Sequence, residues 1–239
     1  MPTVHDLADY LAPHLDRARH HADGDPAGVW LASDREVRRL GLRLEPGRAP
    51  HDWAAAFDAV LLHRPFGLWP ARWPAGVGAL AVHRALDDRL SVGLNPALAD
   101  ALGLDPDPEP LARDGAPVGL VGHLRPPLAL ADAEARVRDE LGGAKAVVGR
   151  GPKVVGAVAL VGAMTAELVD AAAERGAGLY VTGQIRQPGL AAVEATGVRV
   201  VAVGQGRAEA WGLRHLGRLL RERWPEIEVV DAGLSGSDR

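Results

Sequence analysis

The chain contains no cysteine. Disulfides and thiolate-held metals are therefore excluded, and any bound metal must use His, Asp, Glu or Gln side chains. Such donors suit zinc, iron or manganese. No stretch approaches the roughly eighteen uninterrupted apolar residues of a membrane span. The opening segment MPTVHDLADYLAPHL carries His5, Asp6 and Asp9 and lacks the apolar core of a signal peptide. No membrane association is expected, and the expected location is cytoplasmic. A large excess of one charge is also missing. The formal net charge of -4 gives no field strong enough to attract nucleic acid or acidic lipid, so no nucleic-acid partner is expected. Lysine occurs only at Lys145 and Lys153, leaving Arg as 25 of the 27 basic residues. With 29 Gly and 18 Pro, this points to a GC-rich genome and carries no functional conclusion.

What is present suffices for a sizeable core: 47% of the 239 residues are hydrophobic and an ordinary 24% are charged. Apolar residues at helical spacing from Thr3 to Leu15, with Thr3 as cap and Asp6 three residues on, predict a helix. Arg17 to Ala27 reads as a loop, and its His20 and His21 are assigned no role. Val29 to Leu31 and the alternating Val37 to Leu44 read as strands, the second with one wetter face. A short helix over His51 to Ala59 leads into the strand Val60 to Leu62. Pro65 to Pro74 is too rich in proline for regular structure. Its Trp69 and Trp73 either form a rim beside a site or plug the space under the loop. Val77 to Val82 is a further strand. Asn95 caps a helix that starts at Pro96 and closes at Gly103.

The segment DPDPEPLARDGAP, residues 105–117, is the clearest shift in composition and reads as a linker. It separates an N-terminal half, 1–104, from a C-terminal half, 118–239. In the latter, strands are expected at Val118 to His123, Ala146 to Val148, Val154 to Val161, Leu179 to Val181, Val198 to Val203 and, as an edge, Ile227 to Val230. Helices are expected at Leu130 to Leu141, from Thr165 to Arg175, at Leu190 to Ala195 and at Ala208 to Trp224. Strands and helices alternate, so the class is α/β. The two halves follow a related element order, with mostly parallel sheets flanked by helices.

In such sheets, ligand chemistry gathers beyond the carboxyl ends of strands. The strand Val60 to Leu62 ends at His63, followed by Arg64. The strand Val77 to Val82 ends at His83, with Asp87 four residues on. The strand Val198 to Val203 is followed by Gln205, and Glu209 lies one helical turn later on the same face. His, Asp and Glu converging from separate strand ends are the donors a divalent metal needs.

These segments resemble a known family. VLLHRPFGL is similar to the strand and His-His-Pro of the NIF-three-like (NGG-one-interacting factor three) proteins, also called GTP cyclohydrolase I type 2 homologues. VHRALD resembles their H-T-N-x-D segment, and LNPALADALGL the helix that follows. AERGAGLYVTGQI resembles the stretch around their T-G-D or T-G-E motif, and VVAVGQGRAEAWGLRHL their C-terminal G-H-x-x-x-E segment. The resemblance spans nearly the whole chain and implies a dinuclear-metal protein assembled as a toroidal homohexamer. It implies metal ligands at His63, Asp87 and Glu209, with Asp87 as the bridging carboxylate. His83 matches a histidine beside the site. Three positions depart from the pattern. Arg64 stands for the second histidine, Gln205 for the C-terminal histidine and Gln184 for the acid of T-G-D. A guanidinium cannot ligate a cation, and an amide oxygen is a poor ligand, so Gln205 is at best a weak fourth donor. At most one zinc, iron or manganese ion per subunit is expected, or none, with Arg64 pairing with Asp87 or Glu209 in its place.

Three functional readings follow. One is a family member with a degenerate metal site that binds a small molecule or anion through Arg64, Gln184 and Gln205, or acts as a scaffold. Another is a mononuclear metal-dependent hydrolase acting on a nucleotide-like or phosphorylated small molecule. A third, a dinucleotide-binding domain, rests on Gly204-Gln205-Gly206 after a strand. It lacks the third glycine, where Glu209 would repel a pyrophosphate.

Overall fold

A computed structural model describes residues 1–15, 25, 27–105 and 109–234; His20 and His21 lie outside the described residues. In chain order the elements are α1 (Val4–Leu11), β1 (Ala27–Leu31), β2 (Arg39–Arg43), β3 (Ala59–Leu62), β4 (Gly78–Val82), α2 (His83–Leu90) and α3 (Pro96–Ala101). Next come β5 (Glu109–Arg113), β6 (Ala116–Ala129), α4 (Leu130–Leu141), β7 (Ala146–Val148), β8 (Val154–Val161) and α5 (Ala166–Glu174). The chain closes with β9 (Ala177–Thr182), α6 (Gln187–Thr196), β10 (Arg199–Ala202), α7 (Gln205–Arg223) and β11 (Glu228–Asp231).

The chain forms two compact units, and their boundaries differ from 1–104, 105–117 and 118–239. The first unit is Met1–Arg89 together with the C-terminal segment from Glu209; the second is Leu90–Ala208. The difference arises because the chain returns. β11 is an edge strand, as its sequence suggests, but it pairs in parallel with β2 of the first sheet. The 105–117 stretch is not all linker either. Residues 109–113 form β5, an outer strand paired antiparallel with β6. An edge strand tolerates a proline such as Pro110 because one side of its backbone needs no ladder partner.

In the first unit the strand order is β1-β4-β3-β2-β11, parallel except for the β1–β4 pair. The four residues of β3 are all buried, which explains the continuous apolar run in place of an alternating one. The expected wetter face of β2 is present in part: Arg39 is exposed and Arg43 half-buried, with Gly41 between them covered. Gly41 has no side chain, and the Phe57 ring lies where one would go. The Arg43 guanidinium sits 4.4 Å above the Trp53 ring. Of the two tryptophans in the proline-rich loop, Trp73 is buried in this core and Trp69 is exposed. Helix α1 carries the expected capping box of Thr3 and Asp6.

In the second unit the order is β5-β6-β8-β9-β10-β7. Strands β8, β9 and β10 run parallel, while the β5–β6, β6–β8 and β7–β10 pairs are antiparallel. This sheet is more mixed than its sequence suggests. Helices α5 and α6 cover one face, packing Leu168, Val169, Ala172, Ala192 and Val193 against Ala159, Tyr180 and Val200.

β4 is held against α1 at Gly78, where a methyl group would collide with the Val4 side chain and come within 3.2 Å of Ser33 Cβ. Gly78→Ala is therefore expected to destabilise the protein by about 1–3 kcal/mol, the usual cost of overpacking. Urea unfolding should show a lowered midpoint with an unchanged slope.

Candidate metal centre

Three parallel strands, β2, β3 and β4, end side by side, and their register decides what meets there. Arg43 pairs with Leu62, and Leu62 with Ala81. The ladder runs two residues past β3: the amides of His63 and Arg64 donate to the carbonyls of Arg43 (3.1 Å) and Leu44 (2.9 Å). One step further, Arg64 lies beside Glu45, and its guanidinium donates to Glu45 Oε1 at 2.7 Å. β4 passes directly into α2 at His83, so Asp87 follows one turn along that helix. The fourth contribution comes from α7, whose Glu209 is buried.

These elements bring His63, Asp87 and Glu209 together. Each offers a donor atom, and those atoms lie within 4.8 Å of one another. Donors that each sit about 2.1 Å from one zinc ion are separated by about 3–4 Å, so the three would have to draw in slightly to hold one ion. His63 is fully buried between two carboxylates. Its Nε2 is 3.2 Å from Asp87 Oδ1 and donates to the His83 carbonyl at 3.2 Å. Its Nδ1 is 3.3 Å from Glu209 Oε2 yet makes no hydrogen bond. A buried ring nitrogen facing a carboxylate without a bond to it fits a ligand to a cation.

Arg64 enters the same cluster. Its guanidinium donates to the second oxygen of Glu209, which is thus flanked by two cationic side chains. Burial alone would push the His63 pKa down. The two facing carboxylates, Asp87 and Glu209, outweigh burial and raise it to about 9. At neutral pH the metal-free cluster therefore holds two positive groups, His63 and Arg64, against Asp87, Glu209 and Glu45.

Two partners here were not singled out in the sequence. Glu45 is legible only once the register of β2 against β3 is known. Asp25 binds His83: its Oδ1 is 2.8 Å from His83 Nδ1, and its other oxygen accepts from the Arg84 amide at 2.8 Å. His83 is also flanked edge-on by the exposed Phe66 ring, 5.3 Å between centroids. Gln184 and Gln205 lie in the second unit, where both line a crevice of about 580 Å³. Gln205 begins α7, and its Oε1 lies 2.7 Å from the point where a side chain on Gly183 would begin.

A raised pKa fixes the sign of a pH effect. In metal-free protein, the contribution of His63 is complete below its unfolded value of about 6.5 and is lost as pH rises through about 9. Stability should fall across that window by on the order of 3 kcal/mol, at about 1.4 kcal/mol per pKa unit. Denaturation at several pH values in the presence of chelator checks this. The His63→Gln variant should lack the decline.

Comparison with known proteins places the chain. Its residues 73–234 match the model of the Duf34/NIF3 (NGG1p interacting factor 3) family. A Pseudomonas aeruginosa protein named GTP cyclohydrolase 1 type 2 homolog is 28% identical, the match covering 91% of this chain and 92% of that one. A protein of the same name from Allochromatium vinosum is also 28% identical, with 97% of each covered. Among solved structures, the protein ybgI, described as of unknown function, superposes with a TM-score of 0.69 at 20% identity over 96% of this chain and 97% of its own. The Thermus thermophilus protein TTHA1606 gives 0.68 at 22% identity over 97% and 98%. The fold is shared over nearly the full length in both comparisons, and the family model matches well over half the chain. The chain belongs to the Duf34/NIF3 family.

Proposed function

We propose that this family member carries a degenerate metal site and acts as a binding or scaffold protein, with at most one divalent ion at His63, Asp87 and Glu209. The observation that supports this most directly is the double engagement of Arg64, which donates to Glu209 and to Glu45. A guanidinium keeps its charge at any accessible pH and offers no lone pair. It therefore neutralises Glu209 where a second histidine would have bound an ion. Elemental analysis of tag-free protein purified without chelator tests the reading. No more than one equivalent of zinc, iron or manganese per chain is expected. Two equivalents would overturn it. Replacing Arg64→His should raise metal uptake above that of the parent. A folded Arg64→His variant that takes up no more metal than the parent would show that the site is misassigned.

The second reading is a mononuclear hydrolase of nucleotide-like or phosphorylated compounds, favoured by the unbonded Nδ1 of His63. An ion there would act as a Lewis acid and activate water. Asp87 and Glu209 would hold it beside His63, while Arg64 could neutralise a negative substrate group. Turnover that needs added metal and is abolished by Asp87→Asn separates this reading from the first.

A toroidal homohexamer is part of the proposal and is supported by the family resemblance. Light scattering coupled to size exclusion should give six times the 25.1 kDa chain mass. A monomer or dimer at micromolar concentration would remove the ring from the proposal.

A further inference from the structure

The second unit contains an open crevice beyond the carboxyl ends of its parallel strands, β8, β9 and β10. Each of the turns after those strands contributes to the wall: Met164 and Thr165 after β8, Gln184 and Arg186 after β9, and Gln205 after β10. Arg113, the last residue of β5, supplies a sixth group. At about 580 Å³ the crevice falls within the usual size of small-molecule sites.

Its chemistry is one-sided. Two arginines, Arg113 and Arg186, line it, and no Asp or Glu does so among the described residues. Arg186 makes no ion pair among the described residues. Arg113 has only a loose, solvent-exposed contact with Asp114, at 3.8 Å. Arg186 also stands at the N-cap of α6, whose first turn has no side-chain cap. The positive end of that helix dipole therefore adds to the two arginines. Gln184 and Gln205 bring neutral amides that can donate to and accept from a polar ligand. The Gln205 side chain is brought against the backbone at Gly183, where a methyl group would meet its oxygen. Met164 offers apolar surface, and its sulfur accepts from the Arg186 amide at 3.3 Å, which ties the β8 and β9 turns together.

We propose that this crevice binds a phosphorylated small molecule, with the phosphate held by Arg113 and Arg186 and the remainder by Gln184 and Gln205. A phosphate dianion suits the pair because a guanidinium can present two parallel N–H donors to adjacent phosphate oxygens. Parallel-sheet turns are also where such ligands collect in α/β proteins. The site does not depend on an ion at His63, so the test uses protein dialysed against chelator and remains separate from the metal question.

Calorimetric titration of the full chain with inorganic phosphate, adenosine monophosphate, adenosine and malate provides the test. Phosphate and the monophosphate should bind saturably. Adenosine and malate should bind at least about tenfold more weakly than the monophosphate. The R113Q/R186Q variant should lose about tenfold or more in affinity for the monophosphate, because charge-assisted bonds are the strong ones. R186Q alone should show an intermediate loss. Arg125→Gln, which removes an exposed arginine elsewhere in the same unit, should leave binding unchanged. Absence of saturable binding up to about 10 mM phosphate or monophosphate would overturn the proposal. So would an undiminished affinity in R113Q/R186Q, or malate binding as tightly as the monophosphate.

Discussion

The buried carboxylate of Glu209 is the constraint on which the candidate centre depends. A carboxylate taken out of water is costly unless it is paired and hydrogen-bonded. Its compensation comes from two consecutive residues. In a regular strand, successive side chains point to opposite faces. His63 and Arg64 lie just past the end of β3, and both reach Glu209, one to each oxygen. That arrangement makes the dipeptide the key to the site. It also limits what can stand at position 64, because a neutral residue there would remove the charge that faces the second oxygen of Glu209.

Parallel pairing supplies the precision. With β2, β3 and β4 in register, the residues after their ends are neighbours whatever their separation in the chain. Glu45 lies 19 residues from Arg64 in sequence and 2.7 Å from it in space. α2 begins without a connecting loop, so the end of β4 places His83 and Asp87 on successive turns of a rigid element. His83 then serves the site with its backbone, accepting from His63, while its ring is engaged by Asp25. The histidine beside the site thus helps to orient His63 by its carbonyl and leaves its imidazole to another partner.

Much of this was legible in sequence because buried parallel strands are written as unbroken apolar runs. Val60 to Leu62, Val77 to Val82 and Val154 to Val161 stand out in that way, and the residues that follow the first two include His63 and Asp87. The helix carrying Asp87 did not stand out. HRALDDRL has few apolar residues and no capping side chain, so its helicity owes more to its position after β4 than to its own pattern. β5 was hidden by Pro110, which reads as a linker unless the strand is known to be an edge. The return of β11 to the first sheet was not legible either. A strand pattern reports burial and period, and it does not say which sheet will accept the strand. Glu45 and Asp25 were missed for the same reason: a lone carboxylate in a loop acquires meaning only from what the register sets beside it.

Arginine at position 64, where the family resemblance expects a histidine, would alter the electrostatics of the proposed centre as well as its ligand count. An imidazole can trade its proton for a cation, and the raised pKa of His63 means that binding an ion near neutral pH must release that proton. A guanidinium cannot make the trade. One of the two positive charges against Glu209 is thus exchangeable and the other permanent. A cation arriving at this carboxylate meets a hydrogen-bonded arginine that must either stay as a neighbouring like charge or swing away from both Glu209 and Glu45. The first course weakens the cation's attraction, and the second takes one charged partner from each of two carboxylates. On the proposed reading either cost would fall on the ion and not on the metal-free cluster, so Arg64 would favour the ion-free state in a way that an alanine there would not.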